Sequence, residues 1–368
     1  MIRLTPRKNI PVTLTLLTPV IAVGITLVVG AAIFVILGYN PGAALYQFFI
    51  APVSRPDQIA DLFVKACPLI IIATGLVFAY RANIWNIGAE GQMILGALAA
   101  GWVALSFPQL PGIAMMPLII LAGVAGGLAW AMISAVLKTR FNTNEILVTL
   151  MLTYVAILLI DWTVRGPWRD PLSFGFPLTP MYPDSALIPR VELPAIGRLA
   201  QLHWGVFGAI IFALAGWFVL ARTLIGFQVK VLGDAPRAGK FAGFSPSLVT
   251  LMVMGISGGA AGLAGMIEVS ANIGQLQPDI SFGYGFTAII VAFLARLNPL
   301  AVIAAGLVVA LAELGGDSAQ IALAMPKVVT GIFKGVLLFM LLAGETFNRY
   351  HVTFKRPGIL SRRRLNND

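Results

Sequence analysis

The chain has 368 residues, of which 58% are hydrophobic and 11% are charged, and its mean hydropathy is +0.90. Because soluble domains carry about a quarter charged residues, this composition excludes a soluble protein and predicts an all-α polytopic membrane protein. The formal net charge is +10, but the basic residues cluster beside apolar stretches, so we expect anionic lipid and no nucleic acid as the electrostatic partner.

The first apolar stretch, residues 12–37, follows a basic N-terminus that contains Arg3, Arg7 and Lys8. It lacks a small-residue cleavage site, so we expect it to remain as an uncleaved span. The chain ends in a second basic cluster, the tail 345–368. The positive-inside rule then places both termini in the cytoplasm.

The sequence predicts about ten transmembrane helices, since each crossing needs about 20 apolar residues. They are residues 12–37, 60–80, 86–106, 112–137, 144–164, 204–221, 247–268, 284–296, 299–316 and 326–344. The cytoplasmic connections then hold Arg81, Lys138, Arg140 and the segment 222–246, as the positive-inside rule requires. We interpret the chain, residues 1–368, as a single transmembrane domain.

The eighth predicted span, 284–296, is short, because its residues extend only about 20 Å as a helix. We expect a broken or half-crossing helix there. The stretches ANIWNIGAEGQ after span 2 and SANIGQLQPDISFGYG after span 7 share Ala-Asn-Ile. Because the predicted topology places them on opposite sides of the membrane, spans 2–5 and 7–10 fit an inverted repeat.

The long connection 165–203 is rich in proline and aromatic residues. Long loops without regular structure are uncommon unless they are functional. We therefore predict an ordered outer cap that receives a partner.

The chain contains no Gly-x-x-x-x-Gly-Lys-Ser/Thr sequence, so we do not expect it to bind ATP through such a loop. Cys67 is the only cysteine, which excludes an intramolecular disulfide. His203 and His351 are the only histidines, and neither lies where a proton relay or a metal site would need it. We predict no metal site and an interfacial position for both histidines.

Charged residues within spans are costly, at about 2.5–3.5 kcal/mol near the bilayer centre, unless they are paired or hydrated. Those within or near the predicted spans are Lys65, Glu90, Glu145, Asp161, Glu268, Glu313, Lys327 and Lys334. Lys334 is the deepest, and Glu313 lies near the outer end of the preceding span. We predict a structural ion pair between these two residues rather than a role in transport.

Two polar motifs begin predicted spans. NIGAEGQ contributes Asn86, Glu90 and Gln92, and TNEILVT contributes Asn144 and Thr149. Either the polar groups line a substrate pathway, or they form capped helix starts with small residues for packing. We retain all five as candidate pathway residues, and we expect Asn144 to cap its helix.

Span 7 carries a stripe of small residues. Its glycines are Gly255, Gly258, Gly259, Gly262 and Gly265. Small residues let helix backbones approach closely in a bilayer, so we predict a packing role rather than a pathway.

The segment 222–246 is basic and interrupts two apolar stretches. Residues 234–244 are predicted to form a short helix, with Asp234 near its start, Pro236 in its first turn and Gly243 near its end. The side chains expected to project from it are Arg237, Lys240, Phe241 and Phe244. This arrangement favours the docking of a partner, although a helix bound to lipid headgroups has similar features.

Six stretches resemble the permease subunits of ATP-binding-cassette importers for ribose, branched-chain amino acids and nucleosides. They are NIWNIGAEGQMILGA, TNEILVTLMLTYVA, GDAPRAGKFAGFSP, SGGAAGLAGMIEV, GYGFTAIIVAFLARLNP and GIFKGVLLFMLLAGE, in order between residues 83 and 345. The chain is most similar to the simple-sugar and nucleoside branch. The resemblance implies that Asp234 to Phe244 is the coupling helix, which fits a groove on the ATPase.

The resemblance also implies a complex of two permeases, two ATPases and an extracytoplasmic solute-binding protein, with the permeases in a bacterial cytoplasmic (inner) membrane. A second, shorter homologous permease is expected as the partner, which gives a heterodimer. ATP and Mg²⁺ would be used by the ATPase subunit, and no cofactor is expected on this chain. The expected cargo is a nucleoside or simple sugar; a branched-chain amino acid importer, an ion-coupled secondary carrier and a channel or scaffold are the alternatives.

Overall fold

The computed structural model describes residues 2–6, 12–193, 197–281 and 283–354. These residues form thirteen α-helices, one π-helical segment and four short strands. In chain order they are β1 (Ile2–Pro6), α1 (Val12–Ile36), α2 (Pro41–Phe49), α3 (Pro56–Arg81), α4 (Ala89–Ser106), α5 (Gly112–Phe141), α6 (Glu145–Arg165), β2 (Arg190–Leu193), β3 (Gly197–His203), α7 (Trp204–Arg222), α8 (Leu224–Asp234), α9 (Pro236–Phe241), α10 (Pro246–Ile267), the π-helix (Glu268–Ile273), α11 (Tyr284–Leu294), α12 (Pro299–Leu323), α13 (Lys327–Arg349) and β4 (Tyr350–Phe354).

The protein is a polytopic α-helical membrane protein. Within the described ranges, six helices are long and apolar enough to cross a membrane: α3, α5, α6, α7, α10 with its π-helical extension, and α12. Shorter apolar helices are Gly24–Ile36 within α1 and Tyr284–Leu294, which is α11. Every predicted span coincides with a helix, whereas the crossing of the membrane by all ten remains a prediction.

The chain divides into two compact units, residues 1–47 with 319–368 and residues 48–318. In the first unit, α1 packs against α13, and the ring centroids of Phe34 and Phe333 are 5.2 Å apart. Strand β1 pairs with β4 in antiparallel fashion. These strands were not anticipated from the sequence, which had been interpreted as all-α.

The second unit is built around α3 and α10, which are the helices buried along most of their length. The glycine stripe of α10 packs against α5, where a Cβ placed on Gly262 would lie 2.9 Å from the Cα of Gly127. Helix α4 packs on the same stripe. The predicted packing role is confirmed for Gly258, Gly262 and Gly265, because backbone atoms of neighbouring helices stand where a side chain would need to go. An added Cβ on Gly259 would come closest to the Val124 side chain, at 3.2 Å, and one on Gly255 would meet nothing closer than 3.8 Å.

The described part of the connection, residues 165–193 and 197–203, lies against the segment that follows α10. The amide nitrogens of Thr179, Tyr182 and Ile188 donate to the carbonyl oxygens of Leu276, Gly274 and Ser270 at 3.1, 2.8 and 2.9 Å. Its last part forms an antiparallel hairpin of β2 and β3. Its position outside the membrane remains a prediction.

Candidate functional site

The basic segment 222–246 forms two helices, α8 and α9. The predicted short helix is α9, with Pro236 in its first turn as expected. It begins later than predicted, because Asp234 is the last residue of α8. The cause is local. Proline disfavours helical backbone at the residue before it, and Ala235 has φ −145° and ψ 72°.

Helix α9 presents an apolar side chain to the surroundings. Phe241 is 93% exposed, and Arg237 and Lys240 are exposed beside it. Gly243 ends this part with φ +83°, a conformation that favours glycine. Phe244 does not project as predicted, because its ring packs edge-on against Phe227 with centroids 6.0 Å apart.

The same segment is anchored to the transmembrane helices. A Cβ on Gly233 would lie 3.0 Å from the carbonyl carbon of Arg81, at the end of α3. The Arg81 guanidinium Nε in turn donates to the Leu297 carbonyl oxygen at 2.8 Å, in the connection between α11 and α12. Helix α8 therefore contacts the end of α3, and Arg81 links that end to the connection between α11 and α12.

Two of the five predicted pathway residues bind each other. The amides of Asn86 and Gln92 exchange hydrogen bonds of 2.8 and 3.0 Å, and Asn86 Nδ2 also donates to Ser257 Oγ at 2.9 Å. Both side chains are buried. This arrangement joins the start of α4 to α10. It also supplies the hydrogen-bond partners that buried amides require when no water reaches them.

Glu90 lies apart from that amide pair and binds the start of α11. Its Oε1 and Oε2 accept hydrogen bonds from the backbone nitrogens of Gly283 and Gly285 at 3.0 and 2.7 Å. The contact is close enough that a Cβ on Gly285 would lie 2.8 Å from the Ala89 carbonyl carbon. A carboxylate here satisfies two terminal donors and stabilises the positive end of the helix dipole.

The remaining two predicted residues lie at the start of α6. Asn144 caps this helix, since its Oδ1 accepts from the Ile146 nitrogen at 3.0 Å. Thr149 is buried and accepts a hydrogen bond from the Ile87 nitrogen at 3.2 Å. The structure thus brings Thr149 to the NIGAEGQ motif, while Asn144 serves its own helix. A pathway role for the five residues remains a prediction.

The predicted ion pair between Glu313 and Lys334 is not described, because the Lys334 side chain lies outside the described residues. Another contact of a charged residue, which joins Lys65 to Asp317 and Tyr284, was not predicted from the sequence. Lys65 Nζ lies 3.9 Å from Asp317 Oδ2 and 5.3 Å from the ring centroid of Tyr284. The signal was present in the sequence as charges inside apolar helices, but their proximity depends on the fold.

His203 precedes α7 and is completely buried, not interfacial as predicted. Neither ring nitrogen has a hydrogen-bond partner among the residues that the structure describes. Burial, assisted by the positive charge of Arg190, lowers the pKa of His203 to about 4. The imidazole is therefore neutral at pH 7, as its apolar surroundings require.

This burial predicts an acid-sensitive fold. Between pH 6.5 and 4 the unfolded chain protonates His203 while the folded protein does not, so stability is expected to fall as pH decreases through this window, by up to about 3 kcal/mol. Unfolding in detergent would be followed from pH 7.5 to 4.5 for wild type and His203→Phe. The variant is expected to show the shallower dependence, and identical slopes would contradict the assignment.

Residues 58–342 match the family described as the permease component of branched-chain amino acid transport systems. The chain belongs to this permease family. It is 34% identical to the glucose transporter permease TsgB13 of Haloferax volcanii, over 97% of this chain and 95% of that protein. The guanosine permease NupP of Bacillus subtilis is 28% identical, with 93% and 97% covered, and the nucleoside permease NupB of Lactococcus lactis is 25% identical, with 88% and 90% covered.

The permease is therefore a membrane subunit of an ATP-binding-cassette importer and has no ATPase site of its own. ATP is hydrolysed by a partner subunit. The expected resemblance to the simple-sugar and nucleoside branch is confirmed. Family membership favours ATP-driven import over the ion-coupled carrier.

Proposed function

We propose that the permease imports a neutral nucleoside or simple sugar by alternating access, with α8 and α9 receiving the movement of a partner ATPase. The observation that carries this proposal is the exposed Phe241, flanked by Arg237 and Lys240, on a segment anchored to the end of α3. An exposed aromatic side chain beside cations suits insertion into a protein groove.

The packing of the second unit supports an inverted repeat as the moving element. Helix α3 packs on α10 and α11, while α10 packs on α3 and α4. Exchanging α3 with α10 and α4 with α11 leaves this pattern unchanged, as a repeat of spans 2–5 and 7–10 requires. In alternating-access carriers, the interface between the two repeats typically contains helices that begin or break within the membrane.

The proposed complex contains a second homologous permease, ATPase subunits that use ATP and Mg²⁺, and an extracytoplasmic binding protein that docks on the loop 165–203. The permease would lie in the cytoplasmic membrane with both termini inside. The basic residues of the predicted cytoplasmic connections, such as Arg81, Lys138 and Arg140, support this orientation. No cofactor is proposed for this chain.

The cargo proposal rests on the three relatives named above, whose names specify glucose, guanosine and nucleosides. The test is uptake into proteoliposomes that contain the full complex, with labelled guanosine, adenosine, uridine, ribose, glucose and leucine as separate cargoes. ATP-dependent uptake of a nucleoside or sugar is expected. Uptake of leucine alone, or uptake driven by an ion gradient without ATP, would contradict the proposal.

The coupling role predicts a specific defect in Phe241→Ala. In the proposed complex Phe241 is buried in a groove of the ATPase. Loss of such an aromatic anchor costs at least about 2 kcal/mol at a protein interface, so we expect uptake and ATPase binding to fall at least about tenfold. The free permease should keep its stability, because Phe241 is 93% exposed. The matched control is Phe218→Ala, an aromatic residue on α7 that is 56% exposed; equal effects in the two variants would argue against coupling through α9.

A further inference from the structure

A group of polar side chains from four different segments meets within the apolar second unit. Lys65 comes from α3, Glu268 and Asn272 from the π-helix, Tyr284 from α11 and Asp317 from α12. We call these five residues the polar cluster. They lie far apart in the sequence, and the packing of the four segments brings them together.

Three pairs of side chains within the polar cluster interact at close range. Lys65 Nζ lies 3.9 Å from Asp317 Oδ2 and 5.3 Å from the centroid of the Tyr284 ring. Asn272 Nδ2 donates to Glu268 Oε2 at 2.8 Å. Glu268 is also within electrostatic reach of both Lys65 and Tyr284.

One side of the polar cluster is open. The Asp317 side chain is 50% exposed and that of Lys65 is 19% exposed, whereas Glu268 and Tyr284 are buried. A half-exposed carboxylate within an apolar helix is strongly disfavoured against lipid tails. The open side therefore faces water, lipid headgroups or protein rather than the hydrocarbon of the bilayer.

The polar cluster also has hydrogen-bonding capacity that the described residues do not use. Asn272 Oδ1 has no partner within the described part of the chain. This oxygen lies in the π-helix, an irregular turn of a kind that recurs at functional sites. A buried acceptor without a partner is costly unless a ligand or water satisfies it.

The charge balance of the polar cluster selects among ligands. Glu268 and Asp317 together with nearby Glu313 lie within electrostatic reach of Tyr284, and Lys65 is the single cation among these residues. An excess of carboxylates repels anions such as phosphorylated cargo. Carboxylate and amide oxygens instead accept hydrogen bonds from hydroxyl groups, and charge-assisted bonds of this kind are the stronger ones.

We infer that the polar cluster binds the hydroxyl groups of the cargo as it crosses, which makes it the specificity site of the permease for a neutral, polyhydroxylated ring. This inference rests on the proposed function. Glu268, Asn272 and Asp317 accept hydrogen bonds from the cargo hydroxyls, and Lys65 holds Asp317 in place. The furanose of a nucleoside and the pyranose of a simple sugar share this chemistry.

The experiment compares cargo with and without hydroxyl groups. The complete complex in proteoliposomes is supplied with ATP and either uridine or 2′,3′-dideoxyuridine, and in a second series with glucose or 2-deoxyglucose. Sites that bind a hydroxyl discriminate strongly against analogues that lack it. We expect Asp317→Asn and Glu268→Gln each to lower the ratio of hydroxylated to deoxygenated uptake at least about tenfold.

The matched control is Asp161→Asn. Asp161 is a half-exposed carboxylate in α6 that pairs with Arg165 at 2.7 Å, and it lies outside the polar cluster. This variant should keep the wild-type uptake ratio. Because the same binding protein serves every variant, any change in the ratio arises in the permease, and retained ATPase stimulation by the binding protein shows that the complex is intact.

The outcomes separate this inference from the proposed function. Normal wild-type uptake with unchanged ratios in Asp317→Asn and Glu268→Gln overturns the specificity site alone. Loss of assembly with the second permease in both variants, but not in Asp161→Asn, assigns the polar cluster to a subunit contact and also overturns it. Absence of ATP-dependent uptake by the wild type overturns the proposed function, and the specificity site with it.

Discussion

Gly262→Val is expected to eliminate folded permease from the membrane. A Cβ at this position would lie 2.9 Å from the Cα of Gly127 and closer still to the carbonyl oxygen of Gly123. Both neighbours are backbone of α5, so no rotamer change relieves the clash. Helix α4 crosses at the same point, where Gly96 packs on Gly262. Separation of the helices would break the contacts that hold the second unit together.

The measurement is the yield of monodisperse permease after detergent extraction, together with the unfolding midpoint of any that remains. Gly208→Val is the matched control, because it introduces the same side chain into α7 where no atom lies within 4 Å of the added Cβ. We expect wild-type yield from the control. Equal yields from the two variants would show that the α5–α10 crossing tolerates separation.

Glu90→Ala is expected to be the second most damaging change. It leaves the part-buried backbone nitrogen of Gly283 and the buried one of Gly285 without their acceptor. A buried unpaired donor costs about 1–3 kcal/mol, so Gly285 alone accounts for a loss of that size. It also removes a negative charge from the start of α11, where the helix dipole favours one.

Unfolding in mixed micelles would be compared for wild type, Glu90→Ala and Glu90→Gln. The stability of the Glu90→Gln variant should lie between those of wild type and Glu90→Ala. Its amide oxygen accepts a hydrogen bond from one backbone nitrogen, while its amide NH₂ faces the other. Asp161→Ala removes an exposed carboxylate and is expected to change stability little. If Glu90→Ala matched that control in stability but abolished uptake, Glu90 would be a pathway residue rather than a cap.

The sequence predicted well wherever a local pattern determines structure. Helix positions followed from hydropathy, and the cap of α6 by Asn144 followed from residue type and place. The start of α9 was equally local, and the prediction correctly placed Pro236 in its first turn, but it did not include the preceding helix α8, which ends at Asp234. Strands β2 and β3 were missed although Arg190–Leu193 alternates polar and apolar residues, because a strand of four residues is a weak signal within a proline-rich connection.

The sequence by itself determined the class of protein, the positions of its helices, the glycine stripe and the basic segment, because hydropathy and residue size act on neighbours along the chain. Only the tertiary structure decided which groups meet. Glu90 binds Gly283 and Gly285, 193 and 195 residues away, and Lys65 reaches Asp317 through the packing of α3 and α12. Hydrogen bonds and ion pairs of this kind act over about 3–4 Å, so no pattern in the chain reveals them until the helices are packed.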